Sequence, residues 1–142
     1  MGDCIFCKII EGSIPANKVY EDEFVLAFMD IQPINKGHVL VIPKKHAALV
    51  HELDDDSASK VFQAGRKISA ALRKSGTKCE AVNLFIADGK AAGQEVFHVH
   101  LHVIPRFEGD GFGLKFPDGY ESKPTGEELA EMAGRIKDAV EG

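Results

Sequence analysis

The sequence predicts an α+β domain built on a mostly antiparallel sheet. Three observations carry that expectation. Short apolar segments of strand-like composition recur along the chain, two longer stretches space their apolar residues as helices do, and the order follows no regular βαβ repeat. No linker, low-complexity tract or internal repeat divides the chain, so residues 1–142 are expected to form a single domain.

Cys4 to Ile10 is a short apolar stretch that predicts a helical turn closed near Gly12. Val19 to Tyr20 and Phe24 to Met29 predict a hairpin turning through Glu21, Asp22 and Glu23. Pro33, Asn35 and Gly37 mark a loop; Val39 to Ile42 is then apolar throughout, as a central strand is, and Pro43 ends it. Asp54, Asp55 and Asp56 put negative charge where the next helix starts, while Arg73 and Lys74 put positive charge at its end before Gly76, which complements the helix dipole. Within it Val61, Gly65, Ile68 and Leu72 form one stripe. Ala81 to Ile86 predicts a strand, followed by the loop Asp88 to Gly93.

Phe97 to Ile104 predicts a further strand. Side chains alternate across a strand, so His98, His100 and His102 share one face, and Phe97, Val99, Leu101 and Val103 form an apolar strip on the other. After it, Phe107 to Tyr120 has no clear period and predicts an ordered loop. Thr125 and Glu128 then make a capping-box pattern, and Leu129, Met132, Ala133 and Ile136 the stripe of a terminal helix. Residues 107–142 thus extend the domain by a loop and a helix.

Composition narrows the function. With 17 basic and 22 acidic side chains the net charge is −5, which argues against binding polymeric nucleic acid but leaves room for a small nucleotide. No apolar run is long enough to span a membrane, and the start Met-Gly-Asp-Cys lacks a leader pattern. Cys7 stands where a myristoylation signal needs Ser or Thr. An odd count of three cysteines suits a reducing cytoplasm.

The histidine run carries the chemistry. An interior tract with apolar residues interleaved in register is not a purification tag, and three unconnected structural histidines at this spacing would be a coincidence. Groups that titrate near neutrality suit proton handling, metal binding or nucleophilic attack. A neutral imidazole attacks well when one nitrogen is pinned as a donor and the other is left free. Elsewhere the residues leave alternatives open. Asp30 reads equally as a surface acid, His38 as a satisfied semi-buried side chain or a brace for the run, and His51 as solvent-facing. Cys4 and Cys7 are at zinc-ligand spacing, but read by themselves they favour two small core residues; Cys79 has no partner.

Gly93-Gln94-Glu95-Val96 leading into the histidines resembles the signature of the histidine triad (HIT) superfamily. The block Phe28 to Pro33, the block Gly37-His38 through Pro43 to His46, and the start Cys4 to Ile10 with Ile14-Pro15 resemble it too. The likeness is greatest to the branch of small purine-nucleoside phosphoramidases and their bacterial relatives. It implies a five-stranded, mostly antiparallel sheet with two main helices, continued across a two-fold homodimer. It implies a purine nucleotide ligand, with Ile5, Phe6, Ile9, Phe28 and Ile31 lining the base and Asp30 on the ribose. Asn83, Gly93, Gln94, Glu95 and His102 would lie around the phosphate, with backbone amides of the Gly89 to Gly93 loop adding donors, and Val96 would belong to the nucleotide site. His100 would be the nucleophile toward the α-phosphorus, flanked by His98 and His102, with His38 behind them. No catalytic cofactor is implied. Some bacterial members hold structural zinc, which maps here to Cys4, Cys7, His46 and His98.

Two features bear on the substrate. Glu95 stands where phosphoramidase relatives often carry a hydroxyl residue, and Pro105-Arg106 resembles dinucleoside polyphosphate hydrolases, with Arg106 placed to reach a second phosphate. The expected activity is therefore hydrolysis or nucleotidyl transfer of the nucleoside 5′-monophosphoramidase type. A diadenosine polyphosphate hydrolase and a non-catalytic module binding zinc and nucleotide are the alternatives.

Overall fold

A computed structural model describes residues 3–142. Met1 and Gly2, on which the reading of the N-terminal signals partly rests, lie outside them. The order is α1 (Ile5–Glu11), β1 (Lys18–Glu21), β2 (Val25–Met29), β3 (Val39–Pro43), α2 (Asp55–Lys74), β4 (Ala81–Phe85), β5 (Leu101–Arg106) and α3 (Gly126–Glu141). The strands form one sheet in the order β1-β2-β3-β5-β4, every neighbouring pair antiparallel. This is the predicted architecture, with α1 a true helix rather than a single turn.

Alternation across the sheet explains why β2 and β3 are apolar throughout: both of their faces are covered. Val25, Ala27, Val39, Val41, Leu101 and Val103 face one way, onto the α2 stripe of Val61, Ala64, Ile68 and Leu72. Leu26, Phe28, Leu40 and Ile42 face the other way, onto Phe6 and Ile9 of α1. Full burial of each such side chain is worth about 1.5–3 kcal/mol, so the two layers fix α1 and α2 on opposite faces. Gly65 lets α2 come close, because a β-carbon there would collide with Leu101. The helix ends follow their chemistry. Asp54 caps α2 by accepting from the Ser57 amide, and Gly12 closes α1 at a φ of 89°.

The chain to Gly111 forms one compact unit and Phe112–Gly142 another. In the second, Thr125 and Glu128 make the expected capping box, Phe116 stacks on Tyr120, and Leu129, Met132 and Ile136 stay exposed. No helix among the described residues is long and apolar enough to cross a membrane.

The histidine strand is shorter than the sequence predicts. Pairing with β3 starts at Leu101, opposite Val41, so His98 and His100 precede β5 in an irregular segment that bends at Val96–His98. The reason lies in β3. Pro43 has no amide hydrogen to continue the ladder, its carbonyl receives the His98 ring instead, and the Val99 amide donates to Ala47. Phe97 is also not in the apolar strip; it is 45% exposed.

Candidate active site and metal centre

A row of cross-strand neighbours leads to the site: Phe28 opposite Leu40, Leu40 opposite His102, and His102 opposite Phe85. Over the near part of this row α1 lays Phe6, whose ring meets Phe28 edge-on at 5.6 Å and His100 at 5.1 Å. Between α1 and the sheet opens a cavity of about 280 Å³. Of the residues expected there, it is lined by Ile5, Phe6, Ile9, Phe28, Asp30, Ile31, Glu95, Val96, His100 and His102. Ile14, Pro15, Ala16, Met29, Gln32 and Leu40 line it as well and were not assigned from the sequence. Leu40 was the most accessible of these, since strand alternation puts it beside Phe28 and His102.

The histidines differ in which ring nitrogen is free, and their hydrogen-bond partners assign it. His100 Nδ1 donates to the carbonyl of His98 at 2.8 Å. A neutral ring then keeps its lone pair on Nε2, which makes no hydrogen bond among the described residues. No enclosed side-chain nitrogen or oxygen lacks a partner there, so this nitrogen must reach solvent through the cavity that His100 lines. His38 is pinned in the opposite sense. Its Nδ1 accepts the Ile34 amide at 3.1 Å, leaving Nε2–H to donate to His102 Nδ1 at 2.9 Å. His102 therefore carries its proton on Nε2, as a donor to a ligand, and its ring stacks on Phe85 at 4.4 Å.

Burial is the first cause that lowers the pKa of all four site histidines. For His102 it acts with His100 and His38 to bring the value down to about 4. His100 is also lowered, with its bond to the His98 carbonyl and the fields of Asp30 and Glu95 opposing. His38 is lowered despite Asp30, whose carboxylate is 3.5 Å from Nε2, so that contact sets a carboxylate beside a neutral ring and is not an ion pair. All of these rings are neutral at pH 7, the form a nucleophile and a hydrogen-bond relay need. Asp30, His38 and His102 also lie close enough to share an ion, but their nitrogens are already joined by the relay.

His98 turns elsewhere. Its Nε2–H goes to the Pro43 carbonyl at 2.8 Å, so no N–H remains for a phosphate, contrary to the expected flanking role. Its Nδ1 instead meets Cys4 Sγ at 3.4 Å, Cys7 Sγ at 3.6 Å and His46 Nδ1 at 3.2 Å; Cys7 Sγ lies 3.3 Å from His46 Nδ1. Around a tetrahedral zinc, bond lengths near 2.0 Å to nitrogen and 2.3 Å to sulfur give N–N edges of about 3.3 Å and N–S edges of about 3.5 Å. These four distances match, and all four ligand atoms lie within 4.8 Å of one another. Cys4 caps α1 and takes the Cys7 amide on its sulfur, which sets both thiols on the first turn. Burial and the neighbouring Cys4 push the Cys7 thiol up to about 11, so binding a cation would displace a proton.

Other expected phosphate contacts do not assemble. Gln94 is buried and engaged with backbone on both sides: its oxygen accepts from the Gly89 amide, and its nitrogen donates to the carbonyls of Ala48 and Val96. The amides of Ala92, Gly93 and Gln94 close the loop onto Gly89 and Lys90, so they are not turned to a phosphate. Gly93 does not line the cavity. Asn83 sits on β4 opposite Ile104 and bonds Arg106. Arg106 grips Asp110 through two nitrogens at 2.7 and 2.8 Å, which holds it away from the second-phosphate role. What Gln94 does is mechanical: together with the Val99 amide on Ala47, it ties the segment carrying His46 to the one carrying His98.

With this geometry in view, the comparisons settle the class. The HIT domain family matches residues 11–109, and the chain belongs to that family. A Schizosaccharomyces pombe relative named adenosine 5′-monophosphoramidase is 42% identical over 132 residues, covering 89% of this chain and 96% of its own length. The structure of a HIT family protein from Bacillus subtilis superposes with a TM-score of 0.87 at 45% identity over 96% of each chain. A zinc-bound histidine triad family protein from Mycobacterium smegmatis superposes at 0.75 with 40% identity, covering 97% of this chain and 98% of that one. The family thus includes nucleotide hydrolases.

Proposed function

We propose that this protein hydrolyses purine nucleotides at the α-phosphorus, as a nucleoside 5′-monophosphoramidase acting through a nucleotidyl-histidine. One observation carries the reading: the His100 Nε2 lone pair opens into the cavity while its Nδ1–H is pinned on the His98 carbonyl. The base lies between Ile5, Phe6, Ile9, Phe28 and Ile31, walls that hold a purine without distinguishing adenine from guanine. Asp30 accepts from the ribose hydroxyls. His100 Nε2 attacks phosphorus, the bond to the leaving nitrogen breaks with its electron pair, and water supplies that nitrogen's proton. The His102 Nε2–H steadies a non-bridging oxygen, in the tautomer His38 imposes. Water then cleaves the P–N bond to His100 and releases the nucleoside monophosphate.

Rapid quenching of adenosine 5′-phosphoramidate turnover should trap an acid-labile adduct mapping to His100. Turnover with no adduct, and unchanged in His100→Ala, would remove the covalent route. The polyphosphate alternative rests on Arg106 and Glu95; of the two, Arg106 is engaged by Asp110 at 2.7 Å.

Cys4, Cys7, His46 and His98 would hold a structural zinc. Such a four-ligand site is closed, so the ion would brace α1 against the histidine segment and take no part in the reaction. A homodimer formed through the β4 edge, with Leu84 and Phe85 partly exposed on that strand, would continue the sheet; light scattering reads the mass directly.

A further inference from the structure

The cavity has an unusual charge inventory for a site that handles phosphate. Its polar lining consists of Asp30, Gln32, Glu95, His100 and His102, with no lysine or arginine. Besides the two imidazoles, the only ionisable side chains on the wall are the carboxylates of Asp30 and Glu95. Asp30 is engaged, its oxygen taking the Gln32 amide at 2.9 Å. Glu95 is not: it makes no hydrogen bond or ion pair among the described residues. It lines the same cavity as His100, a residue only 7% exposed whose Nε2 makes no hydrogen bond among the described residues. A neighbouring depression shares Ile5, Glu95 and Val96 with the cavity and is bordered by Asp3, so its ionisable rim is acidic too.

Resting on the function proposed above, we infer that Glu95 selects the leaving group by charge. It favours amines that carry a second, positively charged group, such as a diamine or a lysine-like side chain. It disfavours anionic leaving groups such as polyphosphate or sulfate. Those bring one or more negative charges into a cavity with no cation to receive them, whereas sites that cleave polyphosphates surround them with arginine, lysine or a metal ion. Glu95 lines both the cavity that holds the attacking nitrogen and the depression beside it. A single exposed carboxylate near a charged ligand is worth about five- to tenfold.

The test uses adenosine 5′-phosphoramidates whose leaving amines match in length and differ at the far end: ammonium, methyl or carboxylate. Wild-type kcat/KM should fall in that order, by about five- to tenfold at each step, and the spread should shrink in 0.5 M salt as screening requires (an ionic strength of roughly that order cuts the Debye length to a few ångström). Glu95→Gln should bring the three values together, and Glu95→Lys should reverse them and raise the rate with diadenosine tetraphosphate. The same ordering in Glu95→Gln, or no ordering in wild type, overturns the assignment to Glu95 while the methyl-ended substrate still reports the enzyme. Failure of wild type to turn over even the methyl-ended substrate would instead defeat the function itself, and this inference with it.

Discussion

His98 and His100 are two residues apart, each with a ring N–H on a backbone carbonyl at 2.8 Å, yet they serve opposite regions of the molecule. His98 gives up Nε2 and keeps Nδ1, which points into a closed set of two sulfurs and another imidazole. His100 gives up Nδ1 and keeps Nε2, which opens into an apolar cavity. The difference lies in which nitrogen the backbone takes, and that is set by where Pro43 and the carbonyl of His98 happen to sit. Phe6 lies against both rings, at 5.9 Å from His98 and 5.1 Å from His100. Helix α1 is therefore common to the two regions: its first turn carries the thiols and its inner face the cavity wall.

The comparison breaks most sharply at the nucleophile. His100→Ala should lower kcat with adenosine 5′-phosphoramidate by at least about 10³-fold, while affinity for adenosine monophosphate, read by calorimetry, stays within a small factor. A comparable loss of binding would mean that the ring is a wall rather than an attacker. Next in size is the metal region. Cys7→Ser should reduce zinc from about one per chain to near zero and lower the thermal midpoint by several degrees, since metal binding is folding free energy. Because α1 bears both regions, KM should rise in this variant more than kcat falls. A variant without zinc whose midpoint and KM are both unchanged would show that the two regions are independent.

How much of this was legible in the sequence follows the same division. Strand alternation and helix spacing placed β1 to β4 and α2 within a residue or two and found the start of α3; the pattern is strongest in β2 and β3, where burial on both faces leaves unbroken apolar runs. The histidine triplet was plain, whereas the cavity wall of Phe6, Ile9 and Phe28 came through family likeness. What the sequence did not carry was the pairing of polar groups across long separations. Gln94 reads as a phosphate ligand until its three backbone partners are seen, Asn83 until Arg106 bonds it, and Arg106 until Asp110 pairs with it. The end of β5 pairing at Leu101 depends on Pro43, a residue some sixty positions away. The Cys4, Cys7, His46 and His98 set emerged only through family likeness, since nothing in local spacing says that His46 and His98 meet.

Two smaller effects test the tautomer relay that separates His102 from His98. His38→Ala removes the donor to His102 Nδ1 and should cost about 10- to 100-fold in kcat. His38→Gln, which returns an N–H close to the same place, should recover part of it; equal activity in all three proteins would dispose of the relay. The smallest effect is on stability. In the unfolded chain His102 titrates near its ordinary value of 6.5, and in the fold it is held at about 4. Between those values the unfolded state binds more protons, so stability is complete above pH 6.5 and declines as the pH falls toward 4. With partial exposure allowed for, the share due to His102 is roughly 2 kcal/mol. Urea midpoints measured at pH 7.5 and 4.5 should therefore differ less in His102→Gln than in wild type. An equal difference would place the acid sensitivity on other groups and leave the neutrality of His102 without energetic support.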